Sequence, residues 1–129
     1  MARNSKAYAA AYYRKNRRKA LANRKAYRLK NPERIRNAHL QNNYGITLVE
    51  YAQRLVAQNG VCAICRQTET AVHPGSKKIR ALAVDHDHTT DQVRELVCHR
   101  CNSLLGYVAD DPLLLRAAAD YLEKHRGSH

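Results

Sequence analysis

One stretch of sequence decides how this chain folds: residues 84–102, which read VDHDHTTDQVRELVCHRCN. It ends with two cysteines separated by two residues, Cys98 and Cys101, and a pair with the same spacing occurs at Cys62 and Cys65. This gap lets both sulfurs of a pair face one ion, and four thiolates complete the tetrahedral coordination that structural zinc prefers. The sequence therefore predicts a structural zinc site with no open position for chemistry.

The segment between the two pairs is longer than a zinc ribbon requires. It spans 32 residues, whereas roughly 15–20 residues separate the pairs of a simple ribbon. Another structural unit is therefore inserted there. Two disulfides or four buried thiols are the alternative, although nothing in the sequence points to an oxidising compartment.

The insertion predicts a loop followed by a β-hairpin. Residues 66–78 are polar and include Pro74-Gly75-Ser76, which is typical of a loop. Residues 79–84 and 93–97 are predicted as strands, and the polar residues 89–92 as the turn that joins them.

Three helices are predicted around the insertion. The first covers residues 48–58 and is ended by Asn59-Gly60, the second follows Cys101, and the third begins at Asp110-Asp111-Pro112. The apolar stripe of the first helix comprises Leu48, Ala52, Leu55 and Val56. Two tyrosines of the later helices are expected in the core: Tyr107 and Tyr121.

The positive charge of the chain lies in its first third. The net charge is +12, and residues 1–43 hold 13 lysines and arginines against the single acid Glu33. Residues 2–31 contain no Gly or Pro and many good helix formers, so we expect one long helix that ends before Pro32. The sequence predicts a basic helical arm over residues 1–43.

The remainder of the chain is predicted as one folded body. Residues 44–129 hold ten charges of each sign, and we expect the domain to cover residues 44–126. Residues 127–129, Gly-Ser-His, resemble a vector-derived extension and are left out of the functional interpretation. No apolar run approaches the roughly 18 residues of a membrane span, and the start of the chain lacks an apolar signal segment. The prediction is an intracellular, cytoplasmic protein.

The arm is interpreted as a DNA-binding device, because cations spaced along a helix can bind phosphates without regard to base sequence. If about six cations contact phosphates, log K falls against log salt with a slope of roughly −5. A solvated helix or a disordered tail is the alternative. The predicted contacts are Arg14, Lys15, Arg17, Arg18, Lys19, Arg24, Lys25, Arg28 and Lys30.

The predicted hairpin carries residues suited to phosphodiester hydrolysis. Its four consecutive candidates are Asp85, His86, Asp87 and His88. Imidazole accepts a proton from water near neutral pH, and the oxygens of Asp and Asn suit magnesium. Because Asn102 directly follows Cys101, an ion that holds the cysteine also fixes the asparagine. Adjacent residues of an ideal strand point to opposite faces, so the strand must be irregular near Asp85 if Asp85 and His86 serve one site.

The order of these motifs resembles the recombination endonuclease VII family, a zinc-bearing branch of the His-Asn-His, or ββα-metal, nucleases. The resemblance covers roughly residues 44–122. It is carried by Cys62-x-x-Cys65, Val84-Asp85-His86-Asp87-His88-Thr89, Val93-Arg94, Leu96-Val97-Cys98-x-x-Cys101-Asn102 and Leu105-Gly106. Family sequences often have glycine where this chain has Asp91 and Glu95.

The resemblance implies a fold and a set of roles. The fold is a mainly helical α+β domain whose ββα-metal finger is framed by the four-cysteine zinc site, preceded by the long basic helix. His86 acts as the general base, Asp85 and Asn102 hold Mg²⁺ or Mn²⁺, and His88 assists at the phosphate or the metal. Apart from the resemblance, Arg94 is interpreted as a phosphate contact, with a solvated surface charge as the alternative. Asp87 is interpreted as a turn residue, and His73 and His99 as non-catalytic.

The activity that the resemblance implies is metal-dependent cleavage of duplex or branched DNA, including Holliday junctions. Relatives of this type are common in phages and act inside the host cell. Resolving a junction needs two coordinated cuts, which implies a homodimer. Two alternatives stay open: a zinc-stabilised nucleic-acid-binding protein without catalysis, and an intron-type or packaging-associated nicking enzyme.

Overall fold

The computed structural model describes residues 5–127. Within this range the chain forms five helices and one two-stranded antiparallel sheet, which confirms the predicted mainly helical α+β class. The elements in chain order are α1 (Ser5–Lys30), α2 (Pro32–Tyr44), α3 (Leu48–Ala57), β1 (Ala83–His86), β2 (Val93–Val97), α4 (His99–Tyr107) and α5 (Pro112–Lys124). The first residues of the predicted long helix, Ala2–Asn4, and the final Ser128 and His129 lie outside the described residues.

The chain divides into two compact units, Met1–Leu48 and Val49–His129. In the first unit, none of the described residues of α1 is buried. Pro32 separates α1 from α2 and occupies the first turn of α2, where its missing N–H costs no hydrogen bond. No helix among residues 5–127 is both long enough and apolar enough to cross a membrane.

The core of the second unit is small and is formed mainly by residues of the sheet and by the cysteines. Its buried residues are Tyr51, Cys62, Leu82, Val84, Asp85, Leu96, Val97, Cys98 and Cys101. The hydroxyl of Tyr51 donates to the carbonyl of Leu82 at 2.7 Å and ties α3 to the residue just before β1.

Two expectations about the core are wrong. Val56 of the predicted stripe is 77% exposed and Ala52 is exposed as well, because α3 turns Tyr51 inward instead. Tyr107 and Tyr121 are 89% and 65% exposed. None of the described residues of α5 is buried, so this helix has an apolar face without a core to cover it.

The first strand begins later than predicted, at Ala83 rather than at residue 79. The reason is that residues 71–80 pair with themselves. Val72 and Ile79 form an isolated antiparallel bridge, and the N–H of Arg80 donates to the carbonyl of Ala71 at 2.8 Å. Ile79 therefore belongs to a small loop hairpin that precedes β1.

The β1–β2 ladder is irregular beside Asp85, as the sequence predicted. Val84 pairs with Leu96, but His86 pairs with Val93, so two residues of β2 lie opposite one residue of β1. Such a bulge bends the strand and redirects side chains. The two β2 residues in this position are Arg94 and Glu95.

The boundaries of α3 and α5 follow local signals. Asn59 and Gly60 both have positive φ, and the N–H of Gly60 donates to the carbonyl of Leu55 at 2.9 Å, so the predicted left-handed stop after α3 is confirmed. The carboxylate of Asp111 accepts a hydrogen bond from the N–H of Leu113 at 2.9 Å, so it caps α5.

Glu69 connects the long loop to the start of α4. One carboxylate oxygen accepts from the N–H groups of Thr70 and Ala71, each at 2.9 Å, and the other from the N–H of His99 at 2.6 Å. Burial opposes ionisation of Glu69, but the hydrogen bonds from Ala71, His99 and Thr70 outweigh it, so its pKa is lowered. The carboxylate therefore stabilises the fold in its charged form.

We expect Glu69→Gln to reduce the free energy of unfolding by about 1 kcal/mol at pH 7. A lowered pKa in the folded state means that this stabilisation is present above the unfolded pKa and is lost as the pH falls through the folded pKa. The difference between variant and parent should therefore shrink below about pH 4.3. Urea titrations at several pH values measure it, with the exposed Glu95→Gln as the matched control. An effect that is constant with pH, or equal in both variants, would contradict the assignment.

Candidate active site and metal centre

The four cysteines of the two pairs meet at one point. Their sulfur atoms all lie within 4.8 Å of one another, and the sulfurs of Cys65 and Cys98 are 3.9 Å apart. Tetrahedral zinc with Zn–S bonds of about 2.3 Å spaces its sulfurs by about 3.8 Å, whereas a disulfide needs about 2.0 Å. All four cysteines are free thiols. The donor set therefore fits zinc and not the alternative of two disulfides.

Backbone N–H groups stabilise negative charge on these sulfurs. The N–H of Ile64 donates to Cys62 Sγ and the N–H of Cys101 to Cys98 Sγ, both at 3.4 Å. Burial opposes ionisation of Cys62, but hydrogen bonds led by that from Cys98 lower its pKa from 9.0 to about 6. Burial and the neighbouring thiols raise the pKa of Cys101 to about 12. Four thiolates can therefore coexist here only with a cation between them.

Asp85 is a buried carboxylate, 7% exposed, and Arg94 holds both of its oxygens. Arg94 Nε donates to Oδ2 at 2.5 Å and Nη2 to Oδ1 at 3.0 Å. These hydrogen bonds raise the pKa of Arg94, which stays charged. The pair joins the two strands at the bulge, since Asp85 lies on β1 and Arg94 on β2.

Asp110 extends this ion pair into a network of three charges. Its Oδ2 accepts a hydrogen bond from Arg94 Nη2 at 3.3 Å. Ala109 and Asp110 both have positive φ, 50° and 56°, which is uncommon for residues other than glycine. This turn after α4 brings the carboxylate to Arg94. Sequence reasoning missed Asp110; the available signal was an acid beside Asp111, which alone suffices to cap α5.

The two hairpin histidines lie next to each other, with ring centroids 4.6 Å apart and planes tilted by 57°. His86 is half-buried and His88 is exposed. Between them, Asp87 accepts hydrogen bonds from the N–H groups of Thr89 and Thr90, which lower its pKa. Asp87 therefore stabilises the turn of the hairpin, as interpreted from the sequence.

Asn102 lies in the first turn of α4, where its N–H donates to the carbonyl of Cys98 at 2.9 Å. Its exposed side chain lines a cavity that Ala83 of β1 also lines, whereas Asp85, His86 and His88 do not line it. The structure thus brings Asp85 to Arg94 and His86 to His88, and Asn102 directly follows Cys101 of the four-cysteine cluster. The cysteines form the one cluster of three or more His, Cys, Asp or Glu among the described residues that is arranged to hold a metal ion.

The predicted basic residues of the arm are placed along α1, from Arg14 to Lys30. The helix therefore carries its cations on an exposed surface. Arg94, the remaining predicted phosphate contact, directs its guanidinium to Asp85 and Asp110.

The chain belongs to the recombination endonuclease VII family, whose sequence profile matches residues 37–124. The resemblance drawn from the motifs is thereby confirmed. The chain is similar to the Gene 59 protein of Mycobacterium phage D29, with 42% identity over 82 residues that cover 63% of this chain and 46% of that protein. The Gene 59 protein of Mycobacterium phage L5 is also 42% identical, over 80 residues that cover 61% and 44% of the two chains.

The chain spans about half the length of these curated relatives. No solved structure matches it.

We expect Cys65→Ser to lose the bound zinc and the cooperative unfolding transition of the second unit, because structural zinc supplies folding free energy on the order of 10 kcal/mol. Zinc content by elemental analysis and thermal unfolding by circular dichroism measure both effects. The control variant Ala63→Ser, which changes a residue between Cys62 and Cys65, should keep its zinc. Full stability of Cys65→Ser after treatment with a chelator would contradict a zinc-dependent fold.

We expect Arg94→Ala to reduce the free energy of unfolding by about 2–3 kcal/mol, because it leaves the buried carboxylate of Asp85 unpaired. Asp110→Asn removes a longer and more exposed contact and should cost less than about 1 kcal/mol. Urea unfolding of the zinc-loaded proteins gives both values. Equal stability of Arg94→Ala and the parent would show that the ion pair does not hold the hairpin.

Proposed function

We propose that this protein is a metal-dependent DNA endonuclease that hydrolyses phosphodiester bonds. The observation that carries the proposal is membership of the recombination endonuclease VII family together with the family motif at Asp85, His86 and Asn102. In this proposal residues 44–126 are the nuclease domain and residues 1–43 the DNA-binding arm. The enzyme is of the His-Asn-His, or His-Me finger, type and acts in the cytoplasm of a phage-infected host.

Asp85 and Asn102 are the residues proposed to hold Mg²⁺ or Mn²⁺. Their carboxylate and amide oxygens are the hard donors that these ions prefer, and water and phosphate oxygens complete such a site. The bound ion supplies positive charge that stabilises the transition state at the phosphate. Arg94 orients the Asp85 carboxylate through two hydrogen bonds, the role that outer-shell partners have in metal sites.

His86 is the proposed general base. Its imidazole takes a proton from the water that attacks phosphorus, a new P–O bond forms, and the bond between phosphorus and the 3′ oxygen breaks. The 3′ oxygen leaves and takes a proton from solvent, so the products are a 3′ hydroxyl and a 5′ phosphate. His88, whose ring centroid lies 4.6 Å from that of His86, is proposed to assist at the same phosphate.

Branched DNA, such as a four-way junction, is the proposed preferred substrate. One hairpin finger per chain supplies one active site, so the two cuts that resolve a junction require a homodimer. A nicking enzyme of the intron or packaging type differs from a resolvase in cutting linear duplexes as well as junctions. Comparison of cruciform and linear DNA separates these two activities.

A plasmid nicking assay with and without Mg²⁺ or Mn²⁺ tests the proposed reaction. We expect His86→Ala to lower the rate by about 10²–10⁴-fold, the usual contribution of a general base. His125→Ala, which changes an exposed histidine at the end of α5, should keep the parent rate. Nicking that is equal in parent and His86→Ala and indifferent to metal would instead favour a zinc-stabilised DNA-binding protein without catalysis.

The arm is tested by removing cations from one face of α1. At 3.6 residues per turn, Arg14, Arg18 and Lys25 lie within about 40° of one another around the helix axis. We expect their triple replacement by alanine to reduce the salt slope of DNA binding by about 2–3, near 0.9 for each lost phosphate contact. Fluorescence anisotropy at several salt concentrations measures the slope.

The matched comparison removes the same charge from another side of the helix, at Lys15, Lys19 and Lys30, centred roughly 110° away around the axis. A helix that lies on DNA has one face against the phosphates, so the two triple variants should differ. Equal slopes in both variants would mean that the arm acts only through its total charge. An unchanged slope in both would rule out the arm as a DNA contact.

A further inference from the structure

A cavity of about 480 Å³ lies beside Asn102, between α4 and the loop that precedes β1. Its walls include Lys78 and Arg80 of the loop hairpin, His73 at the start of the same hairpin, and His99 of α4. His73 and His99 are not among the predicted catalytic residues, and the sequence predicts no functional role for this loop.

Two cations of the cavity form no ion pair among the described residues. Neither Lys78 nor Arg80 makes a side-chain hydrogen bond or ion pair with any residue in the described range 5–127. Arg80 is also half-buried. A partly desolvated guanidinium without a partner is costly in a folded protein, and an anion compensates it best.

His73 adds a hydrogen-bond donor to this wall. Its Nδ1 accepts hydrogen bonds from the N–H groups of Gly75 and Ser76, at 3.0 and 3.2 Å. The proton of the neutral ring is therefore on Nε2, which can donate. A Cβ at position 75 would lie 3.1 Å from His73 Cε1, so glycine allows the loop to close tightly on the ring.

One acid, Glu69, also lines the cavity. Glu69 already accepts three backbone N–H hydrogen bonds, from Thr70, Ala71 and His99. Its oxygens are occupied in holding the loop to α4. The donors that remain available to a ligand include those of Lys78, Arg80 and His73.

We propose that this cavity binds a phosphate of the DNA strand next to the phosphate that is cleaved. The inference rests on the proposed function, because Asn102 lines the cavity and Ala83 of its wall lies two residues before Asp85. In this proposal a DNA strand that passes the reaction centre continues toward Lys78 and Arg80. The loop hairpin sets the position of the strand, while the proposed catalytic residues lie on β1 and α4.

The test compares Lys78→Gln and Arg80→Gln with Lys77→Gln in the zinc-loaded full chain. Lys77 is an exposed neighbour in the same turn and does not line the cavity. DNA binding is measured with Mg²⁺ in the His86→Ala background, so that the DNA stays intact. We expect each cavity variant to reduce the salt slope by about 0.9 and Lys77→Gln to leave it unchanged. Zinc content and thermal unfolding verify that all variants are folded.

Single neutral methylphosphonates in the DNA identify the phosphate. We expect a methylphosphonate at one position beside the cut to weaken DNA binding several-fold for the protein with Lys78 and Arg80 intact. The same methylphosphonate should have no effect on binding by Lys78→Gln or Arg80→Gln. Competition with inorganic phosphate distinguishes a site for free anions. At such a site inorganic phosphate would weaken DNA binding to the same extent whether or not that DNA position is neutral. Free-anion behaviour, or the same response in Lys77→Gln, would overturn the proposal.

The same variants with His86 restored separate this inference from the proposed function. We expect KM for DNA cleavage to rise at Lys78→Gln and Arg80→Gln while kcat stays within about threefold of the parent. Suppose that all variants cleave DNA and that every methylphosphonate affects the cavity variants and the parent equally. This result would refute the cavity site and leave the nuclease proposal intact. Suppose instead that one methylphosphonate affects the parent but not the cavity variants, and that the parent does not cleave DNA. This result would refute the nuclease proposal and leave the DNA-binding site.

Discussion

The convergence of four sulfurs is the constraint on which the second unit depends. Two cysteines precede the long loop and two follow the hairpin, yet all four lie within 4.8 Å of one another. Because four thiolates would repel one another, a cation that this cluster could hold would close the chain segment between the two pairs. The backbone reinforces this closure: the carbonyl of Leu96 on β2 accepts from the N–H of Ala63, in the first cysteine pair, at 3.0 Å. The start of α4, and with it Asn102, follows from the same anchor.

Arg94 links three parts of the candidate site that are distant in sequence. The bulge places it opposite Asp85, and the left-handed turn after α4 brings Asp110 to its other side. A basic residue read from sequence as a phosphate contact thus has its guanidinium engaged by two carboxylates. The two hydrogen bonds from Arg94 orient the carboxylate of Asp85, which is 7% exposed, and join the two strands.

Features that depend on short-range chemistry were predictable. The cysteine spacing, the Asn59-Gly60 stop and the Asp111 cap each act within a few residues, and each occurs in the structure. Features that depend on distant partners were not. Ile79 has a strand-like sequence but pairs within its own loop, and Tyr107 has no core to enter. Of the candidate site, the motif residues were identifiable, whereas Asp110 and the cavity at Arg80 required knowledge of which loops meet.

The length of α1 has a geometric consequence. Its 26 residues, at a rise of about 1.5 Å each, make a rod roughly 39 Å long, more than one turn of a DNA duplex. Phosphates wind around the duplex while a helix axis runs nearly straight, so such a rod touches one groove only near its point of closest approach. If the arm binds duplex DNA as proposed, the rest of its basic surface projects beyond that groove, within reach of a strand or second duplex that lies alongside.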